Sequence, residues 1–312
     1  MKLEQMPRYP LLCGFTPLQR MENLEQALGC GPLYIKRDDL TPLGLGGNKT
    51  RKLEFLLGAA LAGGAATLVT VGGVQPNPGR LPAAAAAKAG LACTLVLDGA
   101  RPEELSGNLL LDCLLGASLV YTDGRSAPAV IEETLAALRA AGSAPYFIPE
   151  GGSNAVGSAG YLAMVPELLA QADSLPVPPA RLVCTMGSLG TFAGLWLGAR
   201  AFGAPFSVTG VAVNPTTGYT REKAAALVNE MSAAYGLDIA AAPEDMDIIY
   251  ADAAHDYAGP GYNVPDAKTR GAVELLARTE GIFLDPCYTA KSFRGFCDIA
   301  RELDGGAIFV HT

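Results

Sequence analysis

The sequence predicts a protein of the α/β class, with parallel sheets covered by helices on both faces. Short strand-like segments alternate with helix-like segments along almost the whole chain. The strand-like segments are apolar on both sides, which is typical of strands buried within a parallel sheet. The chain has 312 residues, half of them apolar, which is enough for one large or two ordinary domains.

The first group of predicted elements begins with an extended segment and the helix that follows Gly47. Each later strand is a short apolar run, and each helix is an alanine- or leucine-rich segment with helical spacing. In order, the strands are Tyr34–Lys36, Thr67–Val71, Cys93–Leu97, Ser118–Tyr121 and Pro145–Ile148, and the later helices are Leu81–Ala89, Glu103–Leu115 and Ala129–Ala141.

A second group follows and contains the proline-rich segment Leu175–Pro179, which is typical of a linker. Before it, Val156–Gln171 is predicted as one helix. After it come strand Leu182–Thr185, helix Thr191–Phe202, strand Ser207–Val213, a long helix from Thr217, a Gly/Pro/Tyr-rich loop Asp256–Pro265, two more helices and strand Ala307–Val310.

The composition argues against several classes of function. The 23 Lys+Arg and 31 Asp+Glu give a net charge of -8 without a basic run, so a nucleic-acid partner is not expected. The seven cysteines are scattered without a CxxC pair, which indicates reduced thiols in a cytoplasmic protein, and no His or Cys cluster joins Asp38 and Asp39 as a metal site. No signal peptide or membrane-spanning segment is predicted.

The segment Gly46–Lys52 is the first candidate for chemistry. Two glycines allow a tight turn, and Asn48 and Thr50 are residue types that favour a helix start. Lys49 is therefore expected in the first turn, where the helix dipole and the neighbouring basic residues should lower its pKa. A lysine that loses its proton easily is a nucleophile for aldehydes. Taken alone, the segment is more typical of a solvated basic helix start.

A glycine loop, Met186–Thr191, follows a predicted strand and opens a helix. Its successive backbone N–H groups, with two hydroxyls and the helix N-terminus, are suited to binding a phosphate. The loop matches neither the Walker motif nor the dinucleotide fingerprint, so a purely structural turn is equally compatible with it.

The combination of an activatable lysine and a phosphate loop is what pyridoxal phosphate requires. Two further segments fit such a site. Pro149–Asn154 is a glycine turn before a helix, and Asp285–Thr289 places Tyr288 at a helix start. Tyr288 could stack on a pyridine ring or protonate a substrate carbon, although an interface tyrosine is the alternative.

Several of these segments resemble the 1-aminocyclopropane-1-carboxylate deaminase and D-cysteine desulfhydrase family. The matching segments are Tyr34–Leu40, Gly46–Glu54, Pro149–Asn154, Gly259–Tyr262 and Asp285–Thr289. The resemblance implies the fold of the tryptophan synthase β subunit, a fold type II pyridoxal-phosphate enzyme, with the cofactor between two domains. Residues 1–53 plus 161–312 would form the large cofactor-binding domain, and 54–160 the smaller inserted one.

The resemblance also assigns roles to individual residues. Lys49 would be the Schiff-base lysine, and Lys49, Tyr262 and Tyr288 would be catalytic. The other cofactor-binding residues would be Asn48, Asn77, Gly187, Ser188, Leu189, Gly190, Thr191, Thr289 and Thr312. The substrate-binding residues would be Gln75, Asn77, Gly152, Ser153, Tyr262 and Tyr288. No metal is implied. Thr289 stands where the deaminases have glutamate and the desulfhydrases threonine, which favours a desulfhydrase.

Two departures from the family pattern bear on the substrate. The family has Gln-Ser-Asn followed by His or Gln. This chain has Pro76 in place of the serine and Pro78 in place of the His or Gln. Proline lacks an N–H, so a substrate carboxylate would lose donors, although proline also suits a first helical turn. The family also continues beyond Thr312 with Gly-Gly and a short tail, and loss of that tail would open the cleft.

The sequence therefore predicts a pyridoxal-phosphate-dependent lyase or deaminase that acts on a small amino acid by elimination or ring opening. Ordinary D-cysteine and aminocyclopropane carboxylate are expected to be poor substrates. A pyridoxal-phosphate cyclase, racemase or β/γ-replacement enzyme is an alternative, as is a catalytically inactive cofactor-binding homologue. By resemblance, the chain is expected to be a cytoplasmic homodimer.

Overall fold

A computed structural model describes residues 3–74, 77–215, 218–264 and 266–312, and the side chains of Asn77 and Pro78 are outside this description. The strands are β1 Leu18–Arg20, β2 Leu33–Arg37, β3 Thr67–Gly73, β4 Ala92–Asp98, β5 Ser118–Tyr121, β6 Pro145–Ile148, β7 Pro179–Met186, β8 Ser207–Ala212, β9 Ile248–Ile249 and β10 Gly306–His311. The helices are α1 Glu22–Leu28, α2 Lys49–Ala62, α3 Asn77–Ala89, α4 Gly107–Leu114, α5 Ala127–Ala140, α6 Ala155–Leu162, α7 Met164–Ala172, α8 Gly190–Ala201, α9 Arg221–Tyr235, α10 Ala267–Glu280 and α11 Thr289–Glu302.

The chain forms two compact units. The first contains the N-terminal segment up to Cys13 and Thr41–Gly160, and the second contains Gly14–Leu40 and Tyr161–Thr312. The first unit thus includes the segment up to Cys13 and residues 41–53, which the family resemblance places in the larger domain.

The first unit is built on a four-stranded parallel sheet in the order β5-β4-β3-β6. Helices α2 and α3 bury their apolar side chains on it, in a core with Leu57, Leu68 and Leu95. Buried alanines on α3 let the loop before α2 approach closely, since a Cβ built on Gly44 would lie 3.0 Å from the Ala84 Cβ. Gly44 has φ +50°, a backbone conformation that favours glycine.

The second unit contains a six-stranded sheet in the order β1-β2-β10-β7-β8-β9. Strand β1 pairs antiparallel with β2, and the other pairs are parallel. Helix α11 packs on this sheet through Phe293 and Phe296, whose ring centroids lie 5.3 and 5.4 Å from that of Phe309 on β10. This packing fixes the start of α11 against the sheet.

The predicted α/β class with two parallel-dominated sheets is confirmed, but several predicted helix bounds are wrong. The helix predicted over Val156–Gln171 is two helices, α6 and α7, because Pro166 in the first turn of α7 cannot continue a preceding helix. Helix α9 begins at Arg221, after Thr220 accepts a capping hydrogen bond from the Lys223 amide, and Thr217 is outside the described residues. Helix α4 begins at Gly107 rather than Glu103.

Strands β1 and β9 and helix α1 were not predicted, and each is short. Among the residues that the structure describes, no helix combines the length and apolar character needed to cross a membrane.

Candidate active site

The loop before α2 is held in a specific turn by one buried hydroxyl. Gly46 and Gly47 have φ +78° and +121°, which side chains with a Cβ rarely adopt. The Thr41 hydroxyl accepts a hydrogen bond from the Gly47 amide at 2.9 Å and lies 3.1 Å from the Thr50 hydroxyl. The Thr41 hydroxyl thereby connects the glycine turn to the first turn of α2.

Lys49 is the first residue of α2, as predicted, and its amine donates a hydrogen bond to the Asn48 Oδ1 at 2.8 Å. Burial lowers the pKa of Lys49 to about 8, and Glu150 opposes that shift. The predicted direction is correct, and burial is its largest cause. The Asn48 side chain does not cap the helix and instead faces the Lys49 amine.

The turn that contains Gly152 and Ser153 is tied to the same helix. Lys52 is fully buried one turn after Lys49. Its amine donates to the Gly151 carbonyl at 2.9 Å and lies 3.5 Å from the Ser153 hydroxyl. Gly152 has φ +59°, and a Cβ there would lie 3.0 Å from a Leu56 methyl group. Within the first unit, the predicted substrate-binding turn thus lies against the lysine helix.

The predicted phosphate loop connects β7 to α8 in the second unit. Gly187 and Ser188 lie between the two elements, Leu189 occupies the position before the helix, and Gly190 and Thr191 form its first turn. A Cβ on Gly187 would lie only 2.9 Å from the Tyr288 ring, so this position requires glycine. The Tyr288 ring therefore packs directly on the glycine loop.

Tyr288 is held by the start of α11 and by a second tyrosine. The Tyr288 hydroxyl lies 2.6 Å from that of Tyr262, and the two rings meet edge to face. Burial, reinforced by the Tyr262 contact, raises the pKa of Tyr288 well above the usual tyrosine range, so its hydroxyl keeps its proton. The two tyrosines predicted to face substrate thus form a hydrogen-bonded pair within the second unit.

Asp285 organises the segment that carries Tyr288. Its carboxylate accepts hydrogen bonds from the amides of Cys287, Tyr288 and Thr289 at 2.6–2.9 Å. It also accepts one from the Thr289 hydroxyl at 2.6 Å. Thr289, predicted to contact the cofactor, is fully buried with its hydroxyl engaged by Asp285.

Other predicted site residues are only partly described. Gln75 and Pro76 are outside the described residues, and for Asn77 and Pro78 the structure gives the backbone, which forms the first turn of α3. Thr312 is half-buried directly after β10. Its neighbour His311 is buried, with Nε2 3.1 Å from the Phe283 carbonyl.

Sequence reasoning missed Thr41, Lys52 and Asp285, which hold the segments that carry the predicted site residues. Asp285 could have been found, because an aspartate a few residues before an apolar helical pattern is a typical helix start. Buried Lys52 had no such signal, since a lysine in a helix is normally solvated. Among the described residues, no group of three or more His, Cys, Asp or Glu side chains could hold a metal ion.

The fold and these local arrangements define an α/β enzyme with a lysine suited to an aldehyde and a glycine loop suited to a phosphate. The profile of the family described as "Pyridoxal-phosphate dependent enzyme" matches residues 10–312. The D-cysteine desulfhydrase of Yersinia enterocolitica is 39% identical, over 100% of this chain and 94% of its own. A Pyrococcus abyssi protein provisionally named 1-aminocyclopropane-1-carboxylate deaminase is 38% identical, over 99% of this chain and 92% of its own.

A solved structure of an ACC deaminase homologue superposes with a TM-score of 0.89 at 35% identity, covering 99% of this chain and 92% of that one. The chain belongs to the pyridoxal-phosphate dependent enzymes, and within them to the D-cysteine desulfhydrase and 1-aminocyclopropane-1-carboxylate deaminase family. The predicted cofactor and the predicted enzyme class, a pyridoxal-phosphate-dependent lyase or deaminase, are confirmed by this membership.

The described residues fit this cofactor. A lysine of lowered pKa at a helix start is the group that an aldehyde needs. A Cβ at Gly187 would lie too close to the Tyr288 ring, so the loop has no side chain at this position. A backbone without a side chain is what a phosphate group needs to approach the loop closely.

Proposed function

We propose that this enzyme eliminates a group from a small amino acid and releases ammonia and a 2-oxo acid, in the manner of a D-cysteine desulfhydrase. The observation that carries the proposal is Lys49 at the start of α2 with a pKa lowered to about 8 by burial. At neutral pH such an amine holds an appreciable neutral fraction, which an exposed lysine lacks.

In this proposal, Lys49 holds the cofactor aldehyde, and the backbone and hydroxyl groups of Gly187–Thr191 hold its phosphate. Asn48, Asn77, Thr289 and Thr312 complete the cofactor-binding set. When bound, the cofactor supplies an electron sink for a carbanion at the substrate Cα.

The chain's own residues bind the substrate and move protons. The Lys49 amine, once freed, takes the proton from Cα, since its pKa lies near the working pH. One hydroxyl of the Tyr262–Tyr288 pair donates its proton to the other, and the remaining hydroxyl proton of the pair donates towards the substrate. Gln75, Gly152 and Ser153 complete the substrate-binding set.

The two prolines support an altered substrate preference. Pro78 lies in the first turn of α3, so one amide that could face a carboxylate is absent there. Pro76 removes the serine hydroxyl of the family pattern. We infer that D-cysteine and aminocyclopropane carboxylate are turned over slowly, and that the preferred substrate is a modified small amino acid.

Restoring the family residues tests this inference. The variant Pro76→Ser/Pro78→His should increase kcat/KM for D-cysteine by at least ~100-fold, since a hydrogen bond to a charged group contributes about 1.5–3 kcal/mol. Release of sulfide and 2-oxo acid is measured at steady state. Pro82→Ala, which removes another proline from α3, is the matched control and should show no gain.

Two results would contradict the altered preference: fast turnover of D-cysteine by the unmodified enzyme, or no gain in the restored variant. A panel of small D- and L-amino acids then identifies the reaction. Elimination yields ammonia and a 2-oxo acid, whereas replacement or cyclisation retains the nitrogen. An enzyme that gives no product and no spectral change with any amino acid is a non-catalytic homologue.

We also propose, from the family resemblance, that the protein acts in the cytoplasm as a homodimer. Light scattering on the purified protein tests the oligomeric state, and a monomeric mass would contradict it.

A further inference from the structure

Lys291 is a buried cation that the proposed mechanism does not use. It lies two residues after Thr289 on α11 and is fully buried. Its amine donates hydrogen bonds to the carbonyls of Ala258 and Gly261, both at 2.7 Å. Within the described part of the chain it forms no ion pair. Both of these hydrogen bonds go to the same backbone loop.

Burying an ammonium is costly unless its donors are satisfied. Burial lowers the pKa of Lys291, while Cys287, Asp266 and Asp285 raise it. A hydrogen bond from a charged donor contributes more to stability than one from a neutral donor, about 1.5–3 kcal/mol each. The buried charge is thus compensated by two carbonyls that must stay in place.

Those two carbonyls belong to the loop segment that leads directly to Tyr262. The segment Ala258–Tyr262 carries Gly259 at φ +64°, and it ends at the tyrosine whose hydroxyl meets that of Tyr288. The Tyr262 side chain is 54% exposed, so packing alone does not orient it.

The beginning of the loop is held differently. Asp256 pairs with Arg294 at 2.5 Å and with exposed Lys268 at 2.6 Å. Arg294 and, more weakly, Lys268 therefore hold the beginning of the loop, and Lys291 holds the part next to Tyr262.

We propose that Lys291 is a positioning residue for the reaction, which acts by holding Tyr262 against Tyr288. Helix α11 then positions both tyrosine side chains. It holds Tyr288 through its first turn and Tyr262 through the Lys291 ammonium. This inference rests on the proposed function, in which the tyrosine pair faces the substrate.

The first test needs neither cofactor nor substrate. In Lys291→Met, which keeps the aliphatic stem and removes the donors, chymotrypsin should cleave the apoprotein after Tyr262 about 10-fold faster, because the loop has lost charged hydrogen bonds and opens more often. Peptide mass spectrometry locates the cut. Lys268→Met is the matched control and should leave the rate of cleavage after Tyr262 unchanged. An equal cleavage rate in both variants would overturn the proposal.

The second test is a double-mutant cycle on the cofactor-loaded enzyme. With the best substrate from the amino-acid panel, Lys291→Met should lower kcat/KM about 30-fold alone but less than about 3-fold when Tyr262 is already phenylalanine. A purely structural role would lower kcat/KM equally in both backgrounds, and that result would overturn the proposal.

Two controls separate other failures. If the unmodified enzyme turns over no amino acid, the proposed function fails and the positioning role fails with it, while the chymotrypsin cleavage rates still report whether Lys291 holds the loop. If Lys291→Met does not fold, Lys291→Gln, which keeps a neutral donor, replaces it in both tests and must meet the same criteria.

Discussion

Burial is the largest cause of the lowered pKa of Lys49. The sequence shows a lysine at a helix start with two basic neighbours, and from these a lowered pKa follows. The structure gives burial as the largest cause and Glu150 as an opposing one. Of the neighbours, Lys52 directs its ammonium to the Gly151 carbonyl. The position and the direction of the shift were predictable, but the contribution of burial was not, because burial depends on residues remote in sequence.

Asp112 is a second residue whose environment shifts its proton equilibrium. It is fully buried on α4, and within the described residues neither carboxylate oxygen has a hydrogen-bond partner. Burial raises its pKa from 3.8 to about 6, and the Arg80 guanidinium opposes the shift. Cys93 and Tyr121 also interact with this carboxylate.

The Asp112 shift predicts a pH-dependent stability. Between about pH 4 and pH 6 the folded protein keeps a proton that the unfolded chain has lost, so the free energy of unfolding falls as pH rises. The shift of roughly 2 units corresponds to about 3 kcal/mol. The Asp112→Asn variant has no titrating group at this position, so its free energy of unfolding does not fall in this way. Its free energy of unfolding minus that of the unmodified apoprotein should therefore increase by about 3 kcal/mol from pH 4 to pH 7. Urea unfolding at several pH values measures the difference, and parallel curves would contradict the prediction.

At the level of elements, the start of α11 depends on one capping residue, Asp285. Asp285 accepts three amide hydrogen bonds and one hydroxyl hydrogen bond there, which fixes Tyr288 against Gly187. An aspartate at a helix start both satisfies unpaired amides and complements the helix dipole.

Removal of this cap should therefore weaken both the fold and the site. Asp285→Ala is expected to cost about 2 kcal/mol of unfolding free energy, at the upper end for a helix cap, and to reduce turnover as Tyr288 loses its support. Thr220→Ala removes the cap of α9 and is the matched control, with a cost of about 1 kcal/mol and normal turnover. Chemical denaturation and steady-state kinetics measure the two effects. Equal turnover in both variants would show that Asp285 does not position Tyr288.

The elements differ in how well the sequence specified them. Strands Ser118–Tyr121 and Pro145–Ile148 were predicted to the residue, because apolar runs between clear turn signals leave little choice. The break between α6 and α7 was missed although Pro166 signals it. Strand β9 has only two residues, Ile248 and Ile249, and its pairing with β8 is a tertiary contact that local pattern does not carry.

At the level of the whole molecule, neither compact unit is one continuous stretch of sequence. The first unit takes residues from both sides of Gly14–Leu40, which belongs to the second unit with β2 next to β10. The segment Thr41–Ala62, which contains Lys49, is part of the first unit. The motifs on Lys49, Gly187 and Tyr288 could be found from sequence, whereas the supports from Lys52 and Lys291 could not, because they depend on buried charges that bind carbonyls far away in sequence.

The most direct test of the account is to locate the lysine that binds the cofactor. The purified protein is loaded with pyridoxal phosphate, reduced with borohydride and mapped by peptide mass spectrometry. The account predicts a pyridoxyl adduct on Lys49, and loss of both the adduct and the visible absorption band in Lys49→Ala. An adduct on Lys52 or Lys291, or a visible band that survives in Lys49→Ala, would contradict it.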